Sequence, residues 1–156
     1  MITLCPLDRN DADQVADLRV RPDQEQFAGT VAEALAEPAE RFDLHMILKN
    51  ADPIGIFKID RQYARDYPFA AASDLGLRAV IMDHRVQGQG YGTAAMAALK
   101  TYLPTRYPDA TNVVLTVNFR NRVAVHVYRQ AGFVDTGEVW PHGQAGPQHI
   151  MKAALA

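Results

Sequence analysis

The feature that most constrains the fold is a glycine-rich turn between a predicted strand and a predicted helix, Gln87-Gly88-Gln89-Gly90-Tyr91-Gly92-Thr93. Glycines at alternate positions let backbone N–H groups turn toward one side without obstruction by Cβ atoms. The helix that begins there adds unpaired N–H groups and the positive end of its dipole. The turn therefore predicts a site for a phosphate or pyrophosphate group.

The common phosphate-binding motifs do not fit this spacing. The turn is not G-x-G-x-x-G and does not follow the first strand of the chain, which disfavours a dinucleotide site. No Gly-Lys-Ser/Thr follows it, which excludes the phosphate loop of an ATPase or GTPase. The structural alternative is a plain turn at the entry of a helix.

A second segment, residues 118–133, has its own local signals. Asn121 is predicted to cap a helix, and Tyr128 lies two turns further along the same helix face. Gly132 is a predicted helix C-cap before the strand that starts at Phe133. Taken separately, these residues are also consistent with a simple cap and a half-buried aromatic.

The remaining pattern predicts a mixed α/β sheet in the element order βααβββαβαββ. Predicted strands cover residues 2–7, 44–48, 54–59, 75–82, 111–117, 133–140 and 148–153. Predicted helices run from Asn10 or Asp11 to Val20 and over residues 22–37, 91–102 and 122–130, with a loop over 61–74. The turn chemistry of residues 50–53 predicts a hairpin, and the strand–helix–strand order later in the chain predicts some parallel pairing.

Together the two segments resemble the GNAT superfamily of acetyl-CoA-dependent N-acetyltransferases. In that family a Gln or Arg precedes a glycine-rich turn after the fourth strand, as Gln87 precedes the glycines up to Gly92. The second half of the family often has an Asn, then Ala and Tyr, then Gly-Phe, matched here by Asn121, Ala124, Tyr128, Gly132 and Phe133. The motifs cover about residues 75–133. The resemblance implies a GNAT-like sheet of six or seven strands flanked by about four helices, in a single domain over residues 1–156.

The resemblance also implies that acetyl-CoA is the cosubstrate. The strand before the turn would splay from its neighbour and pair through its backbone with the pantetheine arm, at Val80, Ile81 and Met82. The turn residues would bind the cofactor, with the pyrophosphate on Gly88 to Thr93: Gln87, Gly88, Gln89, Gly90, Tyr91, Gly92 and Thr93. Asn121 would meet the cofactor near its thiol end and Tyr128 would face the sulfur, with Asn118 a further candidate.

The implied activity is acetyl transfer by direct attack of an amine in a ternary complex. A lysine-like amine has a pKa of ~10.4, so the neutral nucleophile is disfavoured by roughly 4.6 kcal/mol at pH 7 and must lose a proton to a carboxylate or to water. Candidate bases are Glu25, Glu33 and Asp83, the last expected to point outward. Tyr128 is the predicted general acid at the thiolate, and backbone N–H groups near Ile81 and Met82 are expected to stabilise the oxyanion.

The acceptor predicted from the resemblance is a small amine, including a polyamine. A peptide N-terminus, an amino acid and an aminoglycoside stay open. The alternative function is a catalytically silent module that binds or senses acyl-CoA, against which the intact turn and Tyr128 argue. The tail around residues 146–151 is either a tight turn between edge strands or, as in the family, lines the acceptor site or a dimer contact. The resemblance allows a homodimer and leaves the oligomeric state open.

Charge and composition bear on the partners. Residues 1–45 carry ten acidic side chains against four arginines, and this excess favours a cationic acceptor. No basic stripe interleaves with aromatics, so no nucleic-acid partner is expected. The longest uncharged run, residues 86–99, is too short to span a bilayer, so no membrane partner is expected. Five histidines without ligand spacing predict no metal, and the single cysteine, Cys5, together with an N-terminus unlike a signal peptide, predicts a cytoplasmic protein.

Overall fold

A computed structural model describes residues 1–155 and places seven strands in one mixed sheet. The strands are β1 (Ile2–Pro6), β2 (Phe42–Lys49), β3 (Asp52–Asp60), β4 (Asp74–Met82), β5 (Asn112–Asn118), β6 (Val134–Trp140) and β7 (Gln148–Ala154), in the sheet order β1-β2-β3-β4-β5-β7-β6. The helices are α1 (Glu25–Ala28), α2 (Val31–Leu35), α3 (Tyr91–Arg106) and α4 (Arg122–Gln130). Neighbouring strands are antiparallel except β4 and β5, which are parallel. The predicted mixed α/β class is confirmed.

The sheet buries apolar side chains on both faces, because alternate residues of each strand point to opposite sides. On one face, Ile47 and Phe57 belong to the core cluster that contains Met96 and Leu99 of α3. On the other face, Met46 and Ile56 belong to the cluster that contains Val31 of α2. Helices α3 and α2 therefore cover opposite sides of the sheet.

The predicted β2–β3 hairpin is confirmed. Asn50 and Ala51 have φ angles of 49° and 74°. Two successive residues with positive φ form the type of two-residue turn that matches the twist of antiparallel strands. The register of the hairpin places Lys49 opposite Asp52.

The predicted helix from residue 10 or 11 to Val20 is wrong. The chain forms only a 3-10 helix over Arg9–Gln14, and Asp11 inside it has a non-helical backbone (φ −102°, ψ 24°). Asp8 is the cap, since its side chain accepts a hydrogen bond from the Asn10 N–H. Short acidic side chains compete for backbone N–H groups, which disfavours a regular helix here.

The predicted helix over residues 22–37 is broken into a 3-10 turn, α1 and α2. Gly29 ends α1 with φ 74°, in the left-handed region that favours glycine. Thr30 then caps α2 and forms a capping box with Glu33. The pattern Thr-x-x-Glu after a glycine is a local signal for this break.

Candidate active site between strands β4 and β5

Strands β4 and β5 pair over only three residues each, from Asp74 opposite Asn112 to Gly76 opposite Val114. Beyond this point β5 stays paired with β7 as far as Asn118, and β4 stays paired with β3 as far as Met82. Within the described chain the facing edges over residues 77–82 and 115–118 therefore lack a strand partner. We call the space between them the β4–β5 gap.

Strand β4 contains a bulge in its pairing with β3, on the edge away from the gap. Between the pairs Lys58–Arg78 and Ile56–Ile81, β4 holds one residue more than β3 does. Ala79 takes up the difference with a φ of 50°, an uncommon conformation for a residue other than glycine. Such a bulge re-aims the residues that follow it, which are the predicted pantetheine contacts Val80, Ile81 and Met82.

The glycine turn lies at the open end of the gap. Gly88 and Gly90 have φ angles of 80° and 83°, and a Cβ on either would meet no atom within 4 Å. Gly90 is the N-cap residue of α3 and provides no side-chain cap. The first N–H groups of the 16-residue helix α3 therefore have no side-chain partner within residues 1–155 and lie next to the open backbone of the turn. This arrangement is expected of an anion site.

The side chain of Gln87 holds the turn against the end of β4. Its Nε2 donates to the Met82 carbonyl at 2.9 Å, and it exchanges hydrogen bonds with Gln24 at 2.9 and 3.1 Å. The Gln87 side chain is therefore already used within the protein.

Gly92 brings three elements together at the gap. A Cβ built on it would lie 3.8 Å both from Cγ of Met82 in β4 and from Cγ1 of Val127 in α4. Asn121 caps α4 as predicted, because its Oδ1 accepts from the Ala124 N–H at 3.3 Å. Its Nδ2 is not needed for the cap.

Tyr128 follows Val127 on α4 and is half-buried. Its ring centroid lies 5.5 Å from that of Phe133. No residue within 1–155 gives its hydroxyl a hydrogen-bond partner, and burial raises its pKa above the usual value. The hydroxyl is thus a protonated donor without a partner among the described residues.

Two of the three predicted bases, Glu33 and Asp83, are engaged in other contacts, and the third, Glu25, is exposed. Glu33 is engaged in the α2 capping box, and Glu25 is exposed on α1. Asp83 does not point outward as expected; it is 3% exposed and accepts from the Arg19 N–H and from Nε of Arg85. Burial alone would raise the Asp83 pKa, but these hydrogen bonds lower it, so this carboxylate is a weak base.

Sequence reasoning missed the ion pairs on the sheet face that carries α1 and α2. Buried Asp60 pairs with Arg41 at 2.7 Å and with Arg78 at 3.6 Å. Lys58 pairs with Glu37 at 2.6 Å, and the Lys58 pKa is lowered by burial. The partners are 18 to 21 residues apart and no local pattern links them. Because these ion pairs neutralise Asp60 and Glu37, the sheet face that carries α1 and α2 has less free negative charge than we expected from the ten acidic residues of the N-terminal segment.

Known families provide an independent comparison. A family model described as the acetyltransferase (GNAT) family matches residues 9–133, which contain both motifs and most of the sheet. The chain belongs to the GNAT acetyltransferase family.

Relatives and solved structures agree with this GNAT assignment. An uncharacterised N-acetyltransferase, YbbJ of Bacillus subtilis (strain 168), is 32% identical over 123 residues, 74% of each chain. The aminoglycoside acetyltransferase AAC(6')-Ib, solved with coenzyme A, superposes with a TM-score of 0.79 at 20% identity, over 99% of this chain and 95% of that one. A spermidine N-acetyltransferase from Vibrio cholerae, solved with CoA and spermine, gives 0.71 at 18% identity over the same shares.

The predicted GNAT resemblance and enzyme class, an acetyl-CoA-dependent N-acetyltransferase, are confirmed by the family match. Among residues 1–155, no helix is both long enough and apolar enough to cross a bilayer. The family does not fix which amine this GNAT chain acetylates.

Proposed function

We propose that this chain transfers the acetyl group of acetyl-CoA to a small primary amine, including a polyamine, within the β4–β5 gap. The observation that carries the proposal is the divergence of β4 from β5 after Gly76, with the open glycine turn at its end. A gap of this kind exposes backbone N–H and C=O groups that an extended, amide-containing arm can pair with.

The binding roles follow the geometry of the gap. The backbone of Val80, Ile81 and Met82 binds the pantetheine amides, and the N–H groups from Gly88 to Thr93 bind the pyrophosphate. The open space around Gly88 and Gly90 supports this role, because a phosphate can approach the backbone there. Asn121 donates its free Nδ2 near the thiol end, while its Oδ1 holds the α4 cap.

The reaction forms one bond and breaks one. The neutral amine attacks the thioester carbonyl, a C–N bond forms, the C–S bond breaks, and the sulfur leaves as a thiolate that takes up a proton. Glu33 and Asp83 are held in other contacts, so the attacking nitrogen loses its proton to solvent water or to the exposed carboxylate of Glu25. N–H groups of β4 near Ile81 and Met82 stabilise the negative charge on the carbonyl oxygen.

Tyr128 acts at the sulfur. A CoA thiol resembles a free cysteine, with a pKa of about 8.5. Because burial raises the Tyr128 pKa, complete proton transfer from Tyr128 to the thiolate is uphill. Tyr128 therefore donates a hydrogen bond that stabilises the leaving thiolate, for which its unpartnered hydroxyl is suited.

Organisation belongs to the same proposal. Residues 1–156 act as one N-acetyltransferase domain, supported by the single sheet that runs from β1 to β6. The protein acts in the cytoplasm, supported by its single free cysteine, Cys5. It forms a homodimer through edge strand β6, supported by Val134 and Val139, which are 67% and 49% exposed.

The test is a product assay with acetyl-CoA and a panel of primary amines, in which free CoA thiol and acetylated amine are both quantified. We expect thiol and acetylated product in equal amounts for at least one amine. Tight binding of acetyl-CoA with no product from any amine would contradict the enzyme and favour the acyl-CoA-sensing alternative.

A further inference from the structure

Asn118 ends β5 at the mouth of the β4–β5 gap, opposite Gln148 of β7. Residues 113, 115 and 117 of β5 belong to the core under α3, so Asn118 shares the opposite face with Val114. This is also the face that carries α1 and α2. The Asn118 side chain is nevertheless buried, with 4% exposed.

The orientation of the Asn118 amide is fixed by its neighbour. Its Oδ1 accepts a hydrogen bond from the Arg120 N–H at 2.8 Å, and a backbone N–H can only donate. The other end is therefore Nδ2. Among residues 1–155, Nδ2 of Asn118 is the one buried side-chain nitrogen or oxygen with no hydrogen-bond partner.

A short loop covers this nitrogen. A Cβ built on Gly146 would lie 3.6 Å from Nδ2 of Asn118, and Gly146 has a φ of 120°. The loop is held on the end of β5 by hydrogen bonds from Phe119 N–H to the Pro147 carbonyl and from the Arg120 guanidinium to the Ala145 carbonyl. We call residues 141–147 the cover loop.

The free group restricts what can bind to it. An amide NH₂ only donates, so its partner must be an oxygen or nitrogen with a lone pair. The non-reacting nitrogens of a polyamine are protonated at neutral pH and have no lone pair to offer. On this face Asp60 and Glu37 are paired with Arg78 and Lys58, so these two carboxylates are not free to bind a second ammonium group.

We propose that Nδ2 of Asn118 donates a hydrogen bond to an oxygen atom of the acceptor, and that the cover loop moves off Asn118 when this acceptor enters. The acceptor is then an amine that carries a hydroxyl, ether or carbonyl oxygen, and not an oxygen-free polyamine. This inference rests on the proposed acetyltransferase function and narrows its substrate class. Closing the loop without a ligand leaves a buried donor unpaired, so a ligand oxygen removes a penalty as well as forming a bond.

The test compares kcat/KM for acceptors that differ in one atom. Cadaverine is the oxygen-free probe, and bis(aminoethyl) ether has an oxygen in place of its central methylene. Spermidine is a second oxygen-free acceptor, and kanamycin is a second oxygen-bearing one. We expect the wild-type protein to prefer the ether by about tenfold, the value of one hydrogen bond of about 1.4 kcal/mol. Asn118→Ala should abolish this preference. Asn118→Asp keeps the oxygen that binds Arg120 N–H but has no NH₂ donor. This variant should reverse the preference, toward cadaverine.

The control is Asn112→Ala, at the other end of the same strand, where the amide already donates to Asp74. It should lower stability but keep the preference for the oxygen-bearing acceptor. Three results would overturn the inference. The wild type could show equal kcat/KM for the ether and for cadaverine, or Asn118→Ala could lose equally with both. The third is no turnover of any oxygen-bearing amine. If acetyl-CoA does not bind the wild type at all, the proposed function itself fails, and the two failures are thereby separated.

Loop movement has its own readout. Trp140, the single tryptophan, directly precedes the cover loop and packs against Tyr67 and Phe69. With CoA bound, addition of kanamycin should change Trp140 fluorescence in the wild type and leave Asn118→Ala unchanged. An unchanged signal in both, with kanamycin turned over, would contradict movement of the loop.

Discussion

Two polar regions of this molecule use their hydrogen bonds in opposite ways. The first, which we call the polar network, joins β2 to the end of α3 through Asp43, His45, Tyr102 and Tyr107. His45 is 2% exposed, and its ring nitrogens lie 2.7 Å from the Tyr102 hydroxyl and 3.0 Å from the Tyr107 hydroxyl. The Tyr107 hydroxyl in turn donates to Asp43 at 2.6 Å.

The polar network fixes its own proton positions. Because Tyr107 donates its proton to Asp43, it must accept from Nε2 of His45. The neutral ring then carries no proton on Nδ1, which accepts from Tyr102. Burial lowers the His45 pKa to about 4, so the neutral form persists at pH 7.

The β4–β5 gap is the reverse case. The Tyr128 hydroxyl, the first N–H groups of α3 and Nδ2 of Asn118 are donors that have no side-chain or strand partner within the described chain. The polar network stabilises the fold, whereas the gap keeps donors free for ligand atoms. We therefore expect mutations in the polar network to lower stability and leave activity unchanged, and mutations in the gap to do the reverse.

The largest separation is expected between two tyrosines. Tyr128→Phe should lower kcat by about 10²- to 10³-fold, the usual range for the loss of one hydrogen-bond donor to a developing negative charge, and change stability by less than about 0.5 kcal/mol. Tyr102→Phe should leave kcat unchanged and cost about 1–3 kcal/mol, because Nδ1 of His45 loses its donor. Steady-state kinetics and urea unfolding of both variants measure this; equal losses of kcat would refute the distinction.

Two glycines with the same backbone provide the next comparison. Gly90 and Gly137 have φ angles of 83° and 82°, and neither has an atom within 4 Å of a built Cβ. Alanine at either should cost about 1–2 kcal/mol of stability. Only Gly90→Ala should also weaken acetyl-CoA binding, by about 10- to 100-fold, as expected for the loss of one or two hydrogen bonds to a charged group. Calorimetric titration measures the acetyl-CoA affinity of both variants. Equal affinities in Gly90→Ala and Gly137→Ala would show that the glycine turn does not bind the cofactor.

The polar network should also show in the pH dependence of stability. Since the folded pKa of His45 lies below its ordinary value of about 6.5, the unfolded chain binds more protons between pH 6.5 and 4, and the free energy of unfolding falls as the pH falls through that range. The contribution between pH 7 and 5 is about 2 kcal/mol. His45→Gln should lack this part of the pH dependence. A wild-type and a variant curve that stay parallel from pH 7 to 5 would exclude His45 as the cause.

The smallest effect concerns Asn121, whose Oδ1 stabilises the fold by capping α4 and whose Nδ2 is free to bind the cofactor. Asn121→Asp keeps the oxygen that caps α4 but removes Nδ2, so stability should hold while acetyl-CoA affinity falls about fivefold, or about 1 kcal/mol. Asn121→Ala should lose a further ~1 kcal/mol of stability with the cap. Unchanged affinity in Asn121→Asp would assign Asn121 to the cap alone.

Local signals account for what could be predicted from the sequence. The glycine turn, the Asn121 cap and the β2–β3 hairpin each depend on a few neighbouring residues, and each forms where its pattern predicts. The break at Gly29 had a local signal too, the Thr30–Glu33 capping box. The apolar residues Phe27, Val31 and Leu35, spaced four apart, nevertheless favoured one continuous helix.

Contacts between distant residues account for what could not be predicted. His45 meets tyrosines 57 and 62 residues away, and Asp60 meets Arg41 across two strands. The free Nδ2 of Asn118 depends on a loop more than twenty residues later in the chain. No periodicity or local composition encodes such partners, so the satisfied and the unsatisfied polar groups could be told apart only in three dimensions.

The most direct test of the central claim is thermal unfolding of the wild-type protein with acetyl-CoA, CoA and NAD added separately. A ligand at 100 times its dissociation constant stabilises a fold by about 2.7 kcal/mol, which is several degrees for a chain of this size. We predict this shift with acetyl-CoA and with CoA and none with NAD, since NAD shares the pyrophosphate but has no pantetheine arm to pair with the free edge of β4. No shift with either CoA species would contradict the assignment of the β4–β5 gap as the active site.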